Sequence, residues 1–297
     1  PPRSTLFPYT TLFRSCSLPD FGYNRGMTSP RRRRQILLTN DDGILSPGLW
    51  AAAAALQSLG FVTVAAPRRQ YSSAGRSLPI DSDGIIERRT VTVGDQDWEV
   101  FAIGGSPAQA VMHAVLEIMP TPPDLVVSGI NYGENAGSGV TISGTVGAAL
   151  EAASLGIPGM AVSLQLQNAD DYLSYSRAVD FSTAAHFTQL FAARILAQPL
   201  PPDVDILKVE VPVNATPETP WELTRQSRHR YYVPLVRRTD GWDQPARLDA
   251  RIDVTPETAG QNTDVHALLR RVVSVTPLSI DLTSRTDLTA LQSRLNG

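Results

Sequence analysis

The chain has 297 residues, 42% of them hydrophobic and 19% charged, enough apolar material for one large core or two small ones. Its 26 basic and 29 acidic side chains leave a net charge of -3 at pH 7, which gives no basis for binding a nucleic-acid polymer or an anionic membrane surface. No apolar stretch approaches the roughly 18 residues that span a bilayer, so a soluble protein is expected.

The segment before Met27 stands apart from the rest. Thr5 to Ser15, TLFPYTTLFRS, reads as the translation of a widely used short-read sequencing adapter, so residues 1–26 are expected to be foreign to the natural protein and residues 1–35 to form a leader outside the fold. Cys16, the single cysteine, lies in that segment. From Met27 onward there is no thiol, which excludes disulfides, thiolate catalysis and cysteine-ligated zinc and agrees with a cytoplasmic setting. The run Arg31 to Arg34 has no basic or aromatic continuation and reads as a solvated tail.

The first element is the apolar run Ile36 to Leu38, which passes through Thr39 and Asn40 into Asp41-Asp42-Gly43. Continuous apolar runs mark buried parallel strands, and ligands of open α/β sheets sit just beyond the carboxyl ends of such strands. Two adjacent carboxylates repel each other, so the pair calls for a cation or a proton, and hard oxygen ligands suit Mg2+, Mn2+ or Ca2+. Taken alone the pair could equally be one helix cap and one solvated turn residue. Ser46-Pro47 starts a helix that stops at Gly60, and Phe61 to Ala66 is a second strand, completing a βαβ unit with a right-handed crossover.

The loop Pro67 to Ser77 is polar and rich in small residues, and it falls on the same sheet edge as Asp41. Gly84 to Val93 and Trp98 to Ile103 read as a hairpin, and Ser106-Pro107 opens a helix to about Ile118. Asp124 to Ser128 is a buried strand ending in the glycine- and asparagine-rich loop Gly129 to Gly139, a composition that lets backbone amides and side-chain carbonyls approach a ligand. Ser143-Gly144-Thr145 then opens a helix ending near Gly156, and its free amides and positive dipole end make an anion site. Strands at Gly159 to Leu164 and Val204 to Val211 flank a helical pattern over 170–197. The expected organisation is a catalytic core over 36–211, an extended β arm over 212–265, and a C-terminal strand and helix over 266–297.

Three strand ends thus supply an acidic pair, a serine-rich loop, and an asparagine and glycine loop that feeds a Ser-Gly-Thr helix start. Oxygen ligands for a hard cation beside an N-terminal phosphate nest suit metal-assisted hydrolysis of a phosphate ester. The strings ILLTNDDG, VVSGIN, SGTVGAALEAASLGIPGMAVSL and VSVTPLSIDLT resemble those of the stationary-phase survival protein family SurE, over Ile36 to Thr283. That resemblance implies an α/β, Rossmann-like, mostly parallel sheet with helices on both faces and a C-terminal β-rich arm that serves a homodimer or homotetramer. It further implies hydrolysis of nucleoside 5′-monophosphates, with 3′-monophosphates and polyphosphate as further substrates, and one divalent cation per subunit, Mn2+ or Mg2+.

The implied metal ligands are Asp41, Asp42, Asn131 and a serine of the loop after the second strand. Counting back from Ser77-Leu78 puts that serine at Ser72, with Ser73 next to it where the family commonly has glycine. Asn40, Gly43 and Asn135 are implied neighbours of the site, and Ser143, Gly144 and Thr145 match the phosphate-binding helix start. The resemblance implies that Asp41, Asp42 and Asn131 carry the catalysis, with Asp42 also a candidate to orient or deprotonate the attacking water.

Among rival readings, a signalling receiver needs a phosphorylatable Asp at a middle strand end and a later strand-end Lys; Asn131 occupies the first place, and Lys208 lies inside a strand. A dinucleotide-binding dehydrogenase needs G-x-G-x-x-G after the first strand, and Asp42 to Ser46 does not supply it. A catalytically weak nucleotide-binding homologue stands as the alternative. His113, His186, His229 and His266 all fall outside the strand-end clusters, which disfavours a phosphohistidine mechanism.

Overall fold

The computed structural model describes residues 32–93, 95–167, 176 and 178–297; of the leader expected over 1–35, residues 1–31 lie outside them, while Gln35 opens the first strand and Arg34 pairs with Asp124. In chain order the elements are β1 (Gln35–Thr39), α1 (Pro47–Leu56), β2 (Phe61–Pro67), β3 (Ile86–Val93), β4 (Gln96–Ile103), α2 (Pro107–His113) and β5 (Leu125–Tyr132). There follow α3 (Gly144–Ser154), β6 (Gly159–Leu164), α4 (Ser182–Ala197), β7 (Ile206–Val211) and β8 (Trp221–Leu223). The chain closes with β9 (Tyr232–Arg237), β10 (Arg247–Ile252), α5 (Pro256–Ala259), α6 (Asp264–Leu269), β11 (Val273–Leu278) and α7 (Leu288–Leu295).

The main sheet runs β3-β4-β2-β1-β5-β6-β7-β11-β8. Strands β4 through β7 of this order are parallel, while β3 pairs antiparallel with β4 and β11 antiparallel with β7. The chain moves outward from β1 to β2 on one side and to β5 on the other, so the topological switch lies between β1 and β5. Ligand crevices of open α/β sheets form at that place.

Both faces of the central strands are covered, which explains their uninterrupted apolar runs. Ile36 and Leu38 pack with Leu49 and Leu56 of α1 and Phe187 and Phe191 of α4. Leu37, pointing the other way along the pleat, packs with Val111 of α2 and Ala148 and Ala152 of α3. The starts of α2 and α3 follow their local chemistry, whereas Ser46 before α1 makes no side-chain cap and Pro47 alone marks that start. Ser106 and Gln109 form a reciprocal capping box on α2, and the Ser143 hydroxyl accepts from the Val146 amide on α3. Among the described residues no helix is long and apolar enough to cross a membrane.

The structure departs from the sequence expectation at three places. The helix after Pro107 keeps α geometry only to His113 and continues as a wider π turn over Ala114–Ile118, closed by the Met119 amide donating to the Ala114 carbonyl at 2.8 Å. Of the helical pattern over 170–197, α4 covers Ser182–Ala197, and residues 168–175 lie outside the described set. The strand expected to end at Ser128 runs on to Tyr132, with a register shift against β6 between Ser128 and Asn131. Gly129 makes this possible: a Cβ there would lie 2.4 Å from the Val162 carbonyl oxygen, so only glycine lets β5 pass β6 and deliver Asn131. In the segment 212–265, β8 joins the edge of the main sheet beside β11, and β9 and β10 form a separate two-stranded ribbon.

The loop after β5 is tied down by buried charge. Lys208 of β7, the chain's only lysine, is fully buried, with Nζ 3.0 Å from Asp264 Oδ2 and 3.3 Å from Glu210 Oε1, and donates to the Asn135 carbonyl at 3.0 Å. Glu210 accepts the Asn135 amide and Asp264 accepts the amides of Gly137 and Ser227. Burial works against the ammonium, but Glu210 and Asp264 outweigh it and hold its pKa above the ordinary lysine value. Removing the one cation leaves buried carboxylates uncompensated, so Lys208→Met should lower the unfolding free energy by about 3–5 kcal/mol. Denaturant titration at pH 7 checks this, and a loss below about 1 kcal/mol would show that the cluster is not held by charge.

Candidate functional site

The site is built on the turn that follows β1. Asn40 is fully buried, its Oδ1 accepting from the Gly43 amide and its Nδ2 donating to the Gly43 carbonyl, both at 3.1 Å. This closed ring folds the chain back at once and fixes the direction of the two carboxylates inside it.

Asp41, 6% exposed, accepts the Thr145 hydroxyl at 2.5 Å and the backbone amides of Gly144 and Thr145. It therefore caps the first turn of α3 from another part of the chain. The approach is close: a Cβ at Gly144 would lie 2.6 Å from the Asp41 Cβ, which explains glycine there. Burial pushes the Asp41 pKa up to about 6, and those hydrogen bonds keep it from rising further. Asp42, 3% exposed, accepts the Tyr132 amide at 3.1 Å and the Gln70 side-chain amide at 3.3 Å. Burial, followed by repulsion from Asp41, pushes Asp42 up to about 8.

Asn131 sits at the end of β5, next to the Tyr132 amide that holds Asp42. Its Nδ2 donates to the Tyr132 and Gly133 carbonyls at 3.2 and 2.7 Å, and Oδ1 is the side chain's acceptor atom. The loop after β2 is pinned at both ends. The Tyr71 amide donates to the Asp41 carbonyl at 2.8 Å, the Gly75 amide to the Ile142 carbonyl at 2.9 Å, and Arg76 pairs with Glu151 of α3 at 2.6 Å. Ser72 and Ser73 lie exposed on this span, one and two residues past the amide that touches Asp41.

The sequence-expected residues fall into an inner and an outer set. Asp41, Gly144 and Thr145 are joined through the contacts above, Asn131 precedes the Tyr132 amide that holds Asp42, and Ser143, 6% exposed, stands at the same helix start. Ser72 borders them on the loop. Asn135 lies further along, its side-chain amide on the Ser163 hydroxyl at 2.9 Å and its backbone on Glu210. Gly144 and Thr145 turn their amides on Asp41, so the expected anion nest is occupied by a carboxylate of the chain itself.

Sequence reading passed over Gln70 and Glu134. Gln70 stood in a polar loop with nothing to set it apart, and its contact with Asp42 depends on how that loop folds back. Glu134 is buried beside the hydroxyls of Tyr231 and Tyr232, and burial raises its pKa. Its partners come from a distant part of the chain, so no local pattern announces them. His113 pairs with Glu117, and His229 lies 3.4 Å from the Asp253 carbonyl oxygen, both apart from the site. Among the described residues no three His, Cys, Asp or Glu side chains gather to hold a metal. The donors here are two carboxylates with neutral oxygens, a hard all-oxygen set of the kind that fits a divalent cation.

Fold and site together define a doubly wound α/β protein with paired, buried carboxylates at its switch point. The chain belongs to the SurE family, whose model, described as Survival protein SurE, matches residues 36–233. It is 40% identical over 255 residues to the 5′-nucleotidase SurE of Methanocella arvoryzae, covering 84% of this chain and 93% of that one. The 5′-nucleotidase SurE of Thermococcus gammatolerans is 41% identical over 264 residues, 89% of this chain and 96% of its own length. The crystal structure of the SurE protein from Aquifex aeolicus superposes with a TM-score of 0.69 at 32% identity, covering 89% of this chain and all of that one.

The raised carboxyl pKa values have a consequence for stability. Between the unfolded value of 3.8 and the folded values of about 6 and 8, the native state holds protons that the unfolded chain releases. Stability in EDTA should therefore fall as pH rises from 5 to about 8 and level off above, with a slope of at most roughly 1.4 kcal/mol per pH unit for each carboxyl. Asp42→Asn should flatten this fall and raise the melting temperature at pH 8. Thermal melts of both proteins across that range measure it; parallel curves would show that Asp42 carries no such burden.

Proposed function

We propose that this chain is a metal-dependent 5′-nucleotidase, hydrolysing nucleoside 5′-monophosphates to nucleoside and phosphate. The observation that supports it most is the confinement of two buried carboxylates with Asn131 at the sheet's switch point. The activity for which its relatives are named, 5′-nucleotidase, points the same way. In this reading Asp41, Asp42, Ser72 and Asn131 hold one divalent cation, Mn2+ or Mg2+. When bound, such an ion polarises a phosphoryl oxygen and lowers the pKa of water.

The chain's own groups do the rest. Asp42, steadied by the Tyr132 amide and Gln70, is our assignment for the group that orients the attacking water and takes its proton. Water adds to phosphorus, the phosphorus–oxygen bond to the nucleoside breaks, and the leaving 5′-oxygen gains a proton. Ser143, Gly144, Thr145 and Asn135 are assigned to the phosphate end of the substrate, which would share the Thr145 donor with Asp41 and the Asn135 side-chain amide with Ser163. We also propose assembly into a dimer or tetramer through the β9–β10 ribbon, supported by the exposure of Val236, Trp242, Leu248 and Ile252.

Phosphate release should be followed for nucleoside 5′- and 3′-monophosphates and short polyphosphate, with Mn2+, Mg2+ or EDTA. Activity should require the metal, be highest on 5′-monophosphates, and fall by about a hundredfold or more in kcat for Asp42→Asn. Full activity in EDTA, or an unimpaired variant, contradicts the mechanism.

A further inference from the structure

Beside the carboxylates lies a cleft of about 480 Å3 whose lining includes Arg68, Arg69, Tyr71, Asp81, Asp83 and Ile103. Arg68 to Tyr71 follow β2 and Ile103 ends β4, so the cleft continues outward from β1 along the carboxyl ends of neighbouring strands. Its wall is shared with the candidate site. Tyr71 donates its amide to the Asp41 carbonyl and Gln70 its side-chain amide to Asp42, while Arg69 and Tyr71 are among the residues that line the cleft.

The lining selects among ligands. Its two arginines face two aspartates, so the cleft carries no net formal charge. Arg68 is already paired with Asp83 and, at 2.7 Å, with Glu87. Arg68 and Asp83 offset each other, and Asp81 offsets Arg69, so the cleft has no excess positive charge to draw in a second phosphate or a polyphosphate chain and suits a neutral group. The Arg69 guanidinium lies 5.4 Å from the Tyr71 ring centroid, which gives the wall flat π surfaces of the size of a nucleobase. Asp81 is exposed, and carboxylates in such clefts accept hydrogen bonds from ribose hydroxyls.

We propose that this cleft holds the nucleoside half of the substrate, with Tyr71 and Arg69 stacking on the base and Asp81 accepting from the ribose hydroxyls. The identity of the substrate rests on the nucleotidase reading; the nucleoside site itself does not, because it can be tested without phosphate.

The experiment compares wild type with Tyr71→Ala, Tyr71→Phe and Asp81→Asn in two measurements. The first is adenosine binding by saturation-transfer NMR. The second is kcat/KM for AMP relative to kcat/KM for p-nitrophenyl phosphate, a phosphate ester without a nucleoside. Tyr71→Ala should abolish the adenosine signal and lower the AMP ratio about tenfold, chiefly through KM, while Tyr71→Phe keeps both. Asp81→Asn should lower the ratio severalfold with AMP and leave it unaltered with 2′,3′-dideoxy-AMP, which lacks the hydroxyls. Equal losses on both esters, or adenosine binding untouched by Tyr71→Ala, would overturn the assignment. A wild type that binds adenosine through Tyr71 yet hydrolyses no ester would support the cleft and sink the nucleotidase reading instead.

Discussion

Burying two adjacent carboxylates is the constraint on which the rest of this structure depends. Asp41 and Asp42 leave water together; desolvation raises both pKa values, and repulsion from Asp41 adds to the rise at Asp42. The fold answers with donors from three separate segments, the α3 start on Asp41 and the β5 end and Gln70 on Asp42, while the Asn40 ring holds the turn itself. None of these donors carries a charge. They orient the carboxylates and stop short of neutralising them, which is the state a site needs if a cation is to be bound by it.

A second buried charge cluster supports the first at a distance. Lys208, Glu210 and Asp264 hold the backbone of Asn135 and Gly137, the continuation of the strand that presents Asn131. Here one ammonium stands between two carboxylates, and backbone amides take up their remaining acceptor positions, so the cluster is structural. The contrast with the Asp41–Asp42 pair is informative: one set of buried carboxylates has a cation of the chain beside it, and the other is held by neutral donors. The C-terminal half, through Asp264, thus determines the shape of a loop whose chemistry belongs to the N-terminal half.

Much of this was legible in the sequence because the signals are local. The apolar run Ile36 to Leu38 marks a strand covered on both faces, and Ser106-Pro107 and Ser143 mark helix starts that the structure caps as their chemistry demands. Gly129 misled for a physical reason, since a glycine after an apolar run reads as a strand end, yet here it is what permits β5 to continue past β6. Gln70, Glu134 and the Lys208 cluster were illegible because each gains its meaning from a partner far along the chain. Trp221–Leu223 was read with the arm because three residues cannot show which sheet they join; pairing with β11 decides it.

The helix start at Ser143 shows why residue type and spacing underdetermine a phosphate site. In glycine-rich nucleotide-binding turns the first-turn amides face the ligand's phosphate directly, so the helix itself supplies the positive end. In this chain the amides of Gly144 and Thr145 are turned on Asp41, an anion that the protein brings with it. A phosphate arriving there meets carboxylates as well as donors, and like charges at contact distance exclude it unless a cation stands between them. Under the proposed function, the motif that elsewhere binds phosphate without help would here bind it only with a cation between phosphate and carboxylate. That expectation follows from the position of one side chain, Asp41, against the first turn of α3.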